Sequence, residues 1–377
     1  MSSALTDLFP YPIVQAPMAG GVSVPRLAAA VCEAGGLGFL AAGYKTPDGM
    51  YQEIKQLRSL TARPFGVNLF MPQPEYPGVG TGSTGAAVAA LPAAGAVEVY
   101  AHQLAGEAAW YETELGDPES GRDDGYDAKL AVLLDNPVPV VSFHFGVPSG
   151  EALESLRRAG TFTLVTATTA EEARAVERAG ADAVIVQGVE AGGHQGTHRD
   201  NPENDRSGIG LLALIAQVRE SVNLPVVAAG GLMRGGQIAA VLAAGADAAQ
   251  LGTAFLVTPE SGAHAVHKQA LTNPLFVRTE LTRAFSGRPA RGLVNRFLRE
   301  HGPYAPAAYP EVHHLTSPLR KAAARAGDAQ GMALWAGQGH RLARELPAGR
   351  LVDVLVSELA DARTALSGFA AGEGGAA

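Results

Sequence analysis

Eight short apolar runs recur along the first 255 residues of the chain, and each is followed by a turn and a helical stretch. The turns are rich in Gly, Pro and Ser, and the helical stretches are rich in Ala, Arg and Glu. Near-continuous apolar character is typical of strands buried on both faces, as in a parallel sheet covered by helices. The predicted strands span residues 13–16, 37–42, 65–69, 138–143, 162–167, 183–187, 226–229 and 248–251.

The joints between helix and strand favour a closed barrel. Ala-Gly pairs at 159–160, 179–180 and 244–245 each end a helical stretch before the next strand. Glycine at this position takes the left-handed conformation at little cost. Alternating strands and helices predict parallel strands with right-handed crossovers. Eight such units indicate an α/β fold of the (β/α)8 type, a TIM barrel, which needs about 250 residues.

The remaining length is assigned to an insert and a C-terminal part. The insert contains two predicted helices, at about 96–115 and 126–134, after a Pro-, Gly- and Ala-rich stretch. The expected parts are a barrel at 1–255 with a helical insert at about 70–136, a helical substrate-binding or lid domain at 256–333, C-terminal helices packing back on the barrel at 334–369, and a disordered tail at 370–377.

Composition excludes several classes of function. With 47% apolar and 18% charged residues the chain is globular, and its net charge of −8 gives no electrostatic reason to bind nucleic acid or an anionic membrane. A single cysteine, Cys32, excludes an intrachain disulfide and a thiolate zinc cluster. The histidines show no metal-binding spacing. Without a signal peptide or an apolar stretch of 18 residues, we expect a cytoplasmic protein.

Polar side chains and glycines follow several strands, at the end of the barrel where active sites form. Asn68 lies in the third strand and Gln187 ends the sixth, and such amides need either loop backbone or a ligand as a partner. A small-residue turn at 17–21 lets a flat ligand lie against backbone. His194 lies in a glycine-rich loop after the sixth strand, where we expect it to face a ligand.

Glycines after the last two strands predict a phosphate site. Gly230 and Gly231 follow the seventh strand and Gly252 follows the eighth, where glycine lets an anion approach backbone N–H groups. With the amides of Asn68 and Gln187 at a ring edge, these features describe a pocket for flavin mononucleotide (FMN). A phosphorylated substrate without flavin would satisfy the phosphate half equally well.

Several segments together resemble the motif series of nitronate monooxygenases, formerly called 2-nitropropane dioxygenases. The segments are Gln-Ala-Pro-Met-Ala-Gly at 15–20, Gly-Val-Asn at 66–68, Val-Gln-Gly-Val-Glu-Ala-Gly-Gly-His at 186–194, Ala-Gly-Gly at 229–231 and Gln-Leu-Gly-Thr at 250–253. Segments 285–291 and 334–338 are similar to the class I, bacterial-type branch. The resemblance implies FMN-dependent oxidative denitrification of alkyl nitronates, of the propionate 3-nitronate type. In that reaction O₂ yields carbonyl products and nitrite through one-electron transfer to the flavin.

The resemblance also implies roles for individual residues. His194 matches the family's active-site histidine, whose protonated form would hold the anion, or which would act as base on a neutral nitroalkane. His144 matches a second histidine near the substrate. Tyr304 and Tyr309 resemble tyrosines of the substrate channel, although their spacing differs from the family pattern. The implied FMN contacts are Met18, Asn68, Gln187, Gly192, Gly231, Gln250, Leu251, Gly252 and Thr253. The implied partners are a small nitronate and O₂, acting on a monomer or homodimer.

Two other interpretations remain open. NAD(P)H-dependent flavin reductases, similar to enoyl-acyl-carrier-protein reductases or nicotinamide–quinone reductases, resemble the same Gly-Gly-His loop. The class I-like segments near the C terminus favour the monooxygenase. A barrel that only stores flavin or binds a phosphorylated ligand is the third interpretation, and a histidine in a polar ligand-facing loop argues against it.

Overall fold

The computed structural model describes residues 5–73, 93–200 and 208–371. In chain order the strands are β1 Ile13–Gln15, β2 Phe39–Ala41, β3 Gly66–Phe70, β4 Val140–His144, β5 Phe162–Ala167, β6 Ala183–Gln187, β7 Gly193–His194, β8 Val226–Ala229, β9 Ala248–Leu251, β10 Thr279–Thr282 and β11 Ala290–Leu293. All except β7, β10 and β11 pair in parallel, in the order β1-β9-β8-β6-β5-β4-β3-β2. The predicted eight-stranded α/β barrel is confirmed.

The barrel closes between β1 and β2 through one short contact. Val14 and Leu37 form a parallel bridge, and Gln15 N donates to Leu37 O at 2.9 Å. The fully buried Gln15 side chain accepts from Phe39 N at 3.0 Å and donates to Ser23 Oγ at 2.9 Å. Its amide therefore satisfies backbone that the short strands leave unpaired. Inward side chains such as Phe39 and Ile185 fill the interior.

In chain order the helices are α1 Pro25–Glu33, α2 Pro47–Leu60, α3 Ala93–Trp110, α4 Tyr126–Asp135, α5 Gly150–Arg158, α6 Ala170–Ala179, α7 Leu211–Arg219, α8 Gly235–Ala243, α9 Thr253–Leu256, α10 Ala265–Thr272, α11 Arg296–His301, α12 Glu311–Arg325 and α13 Ala348–Ala371. Helices α1, α2, α4–α8 and α13 pack around the barrel, and the others belong to the insert and the C-terminal part. Gly160, Gly180 and Gly245 follow α5, α6 and α8 with φ of 82°, 88° and 107°. These angles confirm the predicted helix-ending role of the Ala-Gly pairs.

The insert between β3 and β4 contributes α3 and α4, and it packs on the C-terminal part of the chain. Tyr100 in α3 is fully buried, and its hydroxyl donates to Ala284 O at 2.8 Å. Gly116, after α3, donates from its backbone to Leu315 O in α12 at 2.9 Å. The Pro-, Gly- and Ala-rich stretch predicted before these helices falls largely at 74–92, outside the described residues. The insert and the C-terminal part thus form a joint layer over one side of the barrel.

The segment at 256–333 is mixed rather than helical, so that expectation was wrong. It contains β10 and β11, which form an antiparallel sheet with β7 from the loop after β6. Ala290 pairs with His194 and Arg291 with Gly193. The run Thr-Glu-Leu-Thr of β10 is short and mostly polar, so it lacks the apolar signal by which the barrel strands were recognised.

The C-terminal helix α13 packs against α1 and α8 on the outside of the barrel. Glu358 Oε2 accepts from Gly235 N, at the start of α8, at 2.8 Å. The helix continues to Ala371, so the predicted tail does not begin at residue 370, and residues 372–377 lie outside the described part. None of the described helices combines the length and the apolar character needed to cross a membrane.

Candidate active site

A cavity of about 1160 Å³ opens at the C-terminal ends of the barrel strands. It is lined by the ends of β3, β6, β8 and β9, by the turn after β1, and by residues of α12 and of the loop before α4. Pockets for one small ligand measure about 300–1,000 Å³, so this cavity has room for a cofactor and a substrate together.

Ten of the thirteen residues singled out from the sequence line this cavity. They are Met18, Asn68, His144, Gln187, Gly192, His194, Gly231, Gln250, Gly252 and Thr253. Their elements are far apart along the chain, and the barrel brings them to one rim. Leu251, Tyr304 and Tyr309 are not part of the lining.

Leu251 faces away from the cavity. Successive side chains of a strand point to opposite faces, so Gln250 and Leu251 cannot both point inward. Gln250 lines the cavity, while Leu251 is 1% exposed and packs in the apolar layer between barrel and helices. Leu251 was expected among the FMN contacts, and its side chain points away from the cavity that the other residues line.

The two tyrosines have different positions. Tyr304 ends a short 3₁₀ helix on the surface and is 54% exposed, so it does not belong to the site as expected. The ring of Tyr309 lies 5.7 Å from that of His194, and its hydroxyl donates to Tyr44 Oη at 3.2 Å. Tyr309 thus stands directly behind the cavity wall, next to the predicted active-site histidine.

Two amide oxygens on the barrel side of the cavity have no hydrogen-bond donor among the described residues. Gln250 Oε1 is buried without a partner. Asn68 donates from Nδ2 to Ser142 O at 3.2 Å and to Ser142 Oγ at 3.0 Å, while its Oδ1 receives no bond from the described protein. An unpaired buried amide oxygen costs about 1–3 kcal/mol, so Gln250 Oε1 fits a ligand that carries a hydrogen-bond donor.

Gln187 is already engaged by protein. Its Nε2 donates to His194 O at 3.2 Å, and its Oε1 accepts from Gly196 N at 2.7 Å. The side chain therefore holds the loop that carries His194, which is one of the two roles that the sequence left open.

Glycines shape the far wall next to β8 and β9. Gly230 and Gly231 have φ of 130° and 69°, which residues with a side chain rarely adopt. A Cβ on Gly192 would lie 2.4 Å from Gly337 N, so this glycine allows the segment 334–338 to pack against the loop after β6. In that segment Gly337 N also donates to Thr253 Oγ1 at 2.9 Å.

His194 lies in an aromatic surrounding. Its ring centroid is 5.6 Å from Phe145, 5.7 Å from Tyr309 and 5.6 Å from Trp335. Its Nε2 is 2.8 Å from Ser286 Oγ, on the loop between β10 and β11. The sequence analysis did not single out Ser286 as a site residue, although it lies in segment 285–291, whose similarity to the class I branch was a signal; nothing there marks it as a partner of a residue 92 positions away.

His194 and His144 are neutral at pH 7. Burial, together with the charge of Arg288, holds the pKa of His194 well below its usual 6.5 and lowers the pKa of His144 to about 3. The expectation that a protonated His194 holds an anion is therefore corrected. Positive charge comes from Arg288 instead, which is fully buried with its guanidinium 4.2 Å from the centre of the Phe145 ring.

Three further residues of the cavity wall were also missed. Tyr44 follows β2, and its ring stacks on that of His313 at 3.9 Å. Arg320 lies two turns beyond His313 in α12, and its Nη2 donates to His313 O at 2.8 Å. The adjacent pair His313-His314 was a signal in the sequence, but the histidines were judged only by their lack of metal-binding spacing.

One group of possible metal ligands exists within the described residues, and it is remote from the cavity lining. Glu107, Glu300 and His301 bring their ligand atoms together. Arg296 already forms ion pairs with both carboxylates, so this group is explained as a structural charge network.

Comparison with known proteins gives a consistent result. A family model described as nitronate monooxygenase matches residues 2–358. A nitronate monooxygenase of Pseudomonas aeruginosa is 44% identical over 92% of this chain and 96% of its own. The solved structure of a nitroalkane oxidase from Streptomyces ansochromogenes is 81% identical, covers 97% of this chain and 100% of its own, and superposes with a TM-score of 0.91. FabK from Thermotoga maritima is 29% identical over 97% of this chain and 98% of its own, with a TM-score of 0.69.

Proposed function

This chain belongs to the nitronate monooxygenase family and is an oxidoreductase, and we propose that it uses FMN and O₂ to convert alkyl nitronates into carbonyl compounds and nitrite. Propionate 3-nitronate represents the proposed substrate type. The observation that carries the proposal is the unpaired Gln250 Oε1 in the same cavity as His194. A cofactor with a ring N–H donor, as the oxidised flavin has, would satisfy that oxygen and bring redox chemistry next to the histidine.

The residues that would hold FMN form two parts of the cavity wall, one for the ring and one for the phosphate. The polar edge of the ring would lie against the side-chain amides of Asn68 and Gln250, and Met18 also lines the cavity. Gly231 and Gly252 leave backbone accessible to the phosphate. FMN, when bound, supplies the one-electron chemistry through which O₂ reacts with the nitronate.

The substrate end is formed by the other half of the wall. We propose that residues of the insert and of α12, together with Tyr44, cover the substrate side of the cavity and exclude water. A nitronate carries a negative charge before it enters, so no proton need be removed. Arg288 favours an anion beside His194, while a histidine with a strongly lowered pKa is a weak base. These charges favour the nitronate over the neutral nitroalkane.

A second candidate activity is the oxidation of neutral nitroalkanes, because the relative that is 81% identical is named a nitroalkane oxidase. His194 would then remove a proton from the carbon next to the nitro group. Stopped-flow mixing of the oxidised enzyme with preformed nitronate and with freshly dissolved nitroalkane separates the two. We expect faster turnover with the nitronate, and equal or faster turnover with the nitroalkane would show that His194 acts as a base.

Anaerobic mixing with NADH or NADPH distinguishes the proposed monooxygenase from a reductase with the same fold. The similarity to FabK is the observation that supports this alternative. We expect the visible absorbance of the flavin to be bleached by nitronate and not by the nicotinamides. Rapid bleaching by either nicotinamide would favour the reductase instead.

The proposed function is tested first by the colour of the purified protein and then by substitution of His194. A colourless protein that takes up no FMN would contradict the proposal. His194→Asn should retain flavin and lose at least tenfold in kcat/KM for nitronate, which corresponds to about 1.4 kcal/mol of transition-state stabilisation. His102→Asn, on the exposed face of α3, is the control. An unchanged kcat/KM in His194→Asn would remove His194 from the reaction.

A further inference from the structure

The guanidinium of Arg320, on the substrate side of the cavity, has N–H donors that none of the described residues accepts. Arg320 in α12 lines the cavity and is partly buried. Its Nε donates to Thr316 Oγ1 at 3.1 Å, and its Nη2 contacts His313 through O at 2.8 Å and Nδ1 at 3.3 Å. These bonds fix the orientation of the side chain. Its Nη1 makes no hydrogen bond to the described residues, so two N–H donors remain for a ligand.

The charge of Arg320 is not balanced within the described part of the chain. Its side chain forms no ion pair there. The two carboxylates of the cavity lining are used elsewhere: Asp124 accepts from Tyr44 N at 2.8 Å and from Lys129 Nζ at 2.6 Å, and Asp123 accepts from Gly125 N at 3.1 Å. Burial lowers the pKa of Arg320 to about 10, which leaves it protonated at pH 7. A partly buried cation without a counterion favours an anionic ligand.

A continuous aromatic wall joins this guanidinium to the reaction centre. The ring of Tyr309 is 5.7 Å from His194 and 6.4 Å from His313, and His313 touches Arg320. The hydroxyl of Tyr309 is occupied by Tyr44, and His313 is neutral because burial and Arg320 lower its pKa. Tyr309 stands behind the cavity wall, so the surface between the two ends is formed by Tyr44, which lines the cavity and stacks on His313, with the positive charge of Arg320 at its far end.

We propose that Arg320 binds a carboxylate at the end of the substrate opposite the nitronate carbon, and so makes the enzyme selective for nitronates with an anionic tail. This inference rests on the proposed function. A carboxylate fits because Nη1 presents two N–H donors next to a single positive charge. Lys321 also lines the cavity but is exposed to solvent, so its charge is screened and contributes less to selection.

Two nitronates of the same length test the assignment. Propionate 3-nitronate ends in a carboxylate, and propyl 1-nitronate ends in a methyl group at the same position. In Arg320→Gln we expect kcat/KM for propionate 3-nitronate to fall at least tenfold, mainly through KM, while the value for propyl 1-nitronate changes less than twofold. Arg320→Lys should recover part of the loss because it keeps the positive charge but lacks the planar guanidinium.

Arg325→Gln is the matched control, since Arg325 is exposed on the last turn of the same helix. Melting temperature and flavin content of each variant show whether the fold is intact. An equal change for both nitronates in folded Arg320→Gln, or no change for either, would overturn the assignment.

A binding measurement keeps the inference separate from the proposed function. If wild type oxidises neither nitronate, the proposed function fails, and calorimetric titration of the flavin-loaded protein with succinate then decides about Arg320. We expect wild type and Arg325→Gln to bind succinate and Arg320→Gln to bind it at least tenfold more weakly. Equal affinity in all three proteins, or no binding to wild type, would overturn the carboxylate site.

Discussion

The Nε2 atom of His194 lies 2.8 Å from the hydroxyl oxygen of Ser286, and this contact determines which ring nitrogen is left for a ligand. Ser286 Oγ is also 3.3 Å from Arg288 O, to which the hydroxyl donates. A hydroxyl has one hydrogen, so a Ser286 that donates to Arg288 O accepts from His194. In that arrangement the neutral ring carries its proton on Nε2 and its lone pair on Nδ1.

Removal of this hydroxyl should impair catalysis without loss of the cofactor. In Ser286→Ala we expect kcat/KM for nitronate to fall about tenfold, since loss of a buried hydrogen bond costs about 1–3 kcal/mol and frees the ring to change tautomer and orientation. Steady-state kinetics and flavin content measure the two effects. If flavin content falls while the turnover of each flavin-loaded molecule is unchanged, Ser286 does not act through His194.

Gln250→Leu should weaken FMN binding without lowering the stability of the flavin-free protein. The variant removes the unpaired Oε1, so the flavin-free protein should be at least as stable as wild type. FMN should bind about tenfold more weakly because one acceptor at the ring edge is lost. Fluorescence titration with FMN and thermal unfolding of flavin-free protein measure both. Unchanged FMN affinity would show that Gln250 does not contact the cofactor.

The free energy of unfolding should decrease in acid because of the buried neutral histidines. His144 has a pKa of about 3 in the folded protein and near 6.5 when unfolded. Between these values the unfolded chain binds more protons, so stability rises with pH and is lost as the pH falls from 7 towards 3. His144 contributes about 2 kcal/mol to this loss between pH 7 and pH 5.

Urea unfolding at several pH values measures this dependence. The slope should be smaller in His144→Asn, where His194, His267 and His313 still contribute, and should be unchanged in His102→Asn. A slope equal to that of wild type in His144→Asn would mean that His144 is not buried in its neutral form.

Two glycine substitutions should have opposite effects. A Cβ on Gly192 would meet backbone atoms of residues 336 and 337 at 2.4–2.9 Å, so Gly192→Ala should lower the free energy of unfolding by about 1–3 kcal/mol. Gly106, within α3, has open space around it, and Gly106→Ala should raise it by up to about 1 kcal/mol. Denaturant titration compares them. An unchanged free energy of unfolding in Gly192→Ala would show that segment 334–338 can move away from the added Cβ at little cost.

The sequence by itself determined the barrel and the layer of polar side chains at its rim. Strands buried on both faces are apolar throughout, and this signal lies within each run of residues. The alternation of side chains then places Asn68, Gln187 and Gln250 on the inner face, since Val67, Val186 and Leu251 occupy the outer face. The same alternation, applied strictly, would have excluded Leu251 from the predicted cofactor contacts.

Only the tertiary structure decided the partners and the charge of the reaction centre. Ser286 and Arg288 come close to His194 because β7 pairs with β11, and Arg320 reaches the same cavity because α12 packs over it; the pattern within each of their segments does not predict these positions. The exposure of Tyr304 and the position of Tyr309 behind the cavity wall follow from the same packing. The protonation state of His194 depends on its burial and on arginines that are far from it in the sequence. Both are set by neighbours in space, which the sequence around His194 does not reveal.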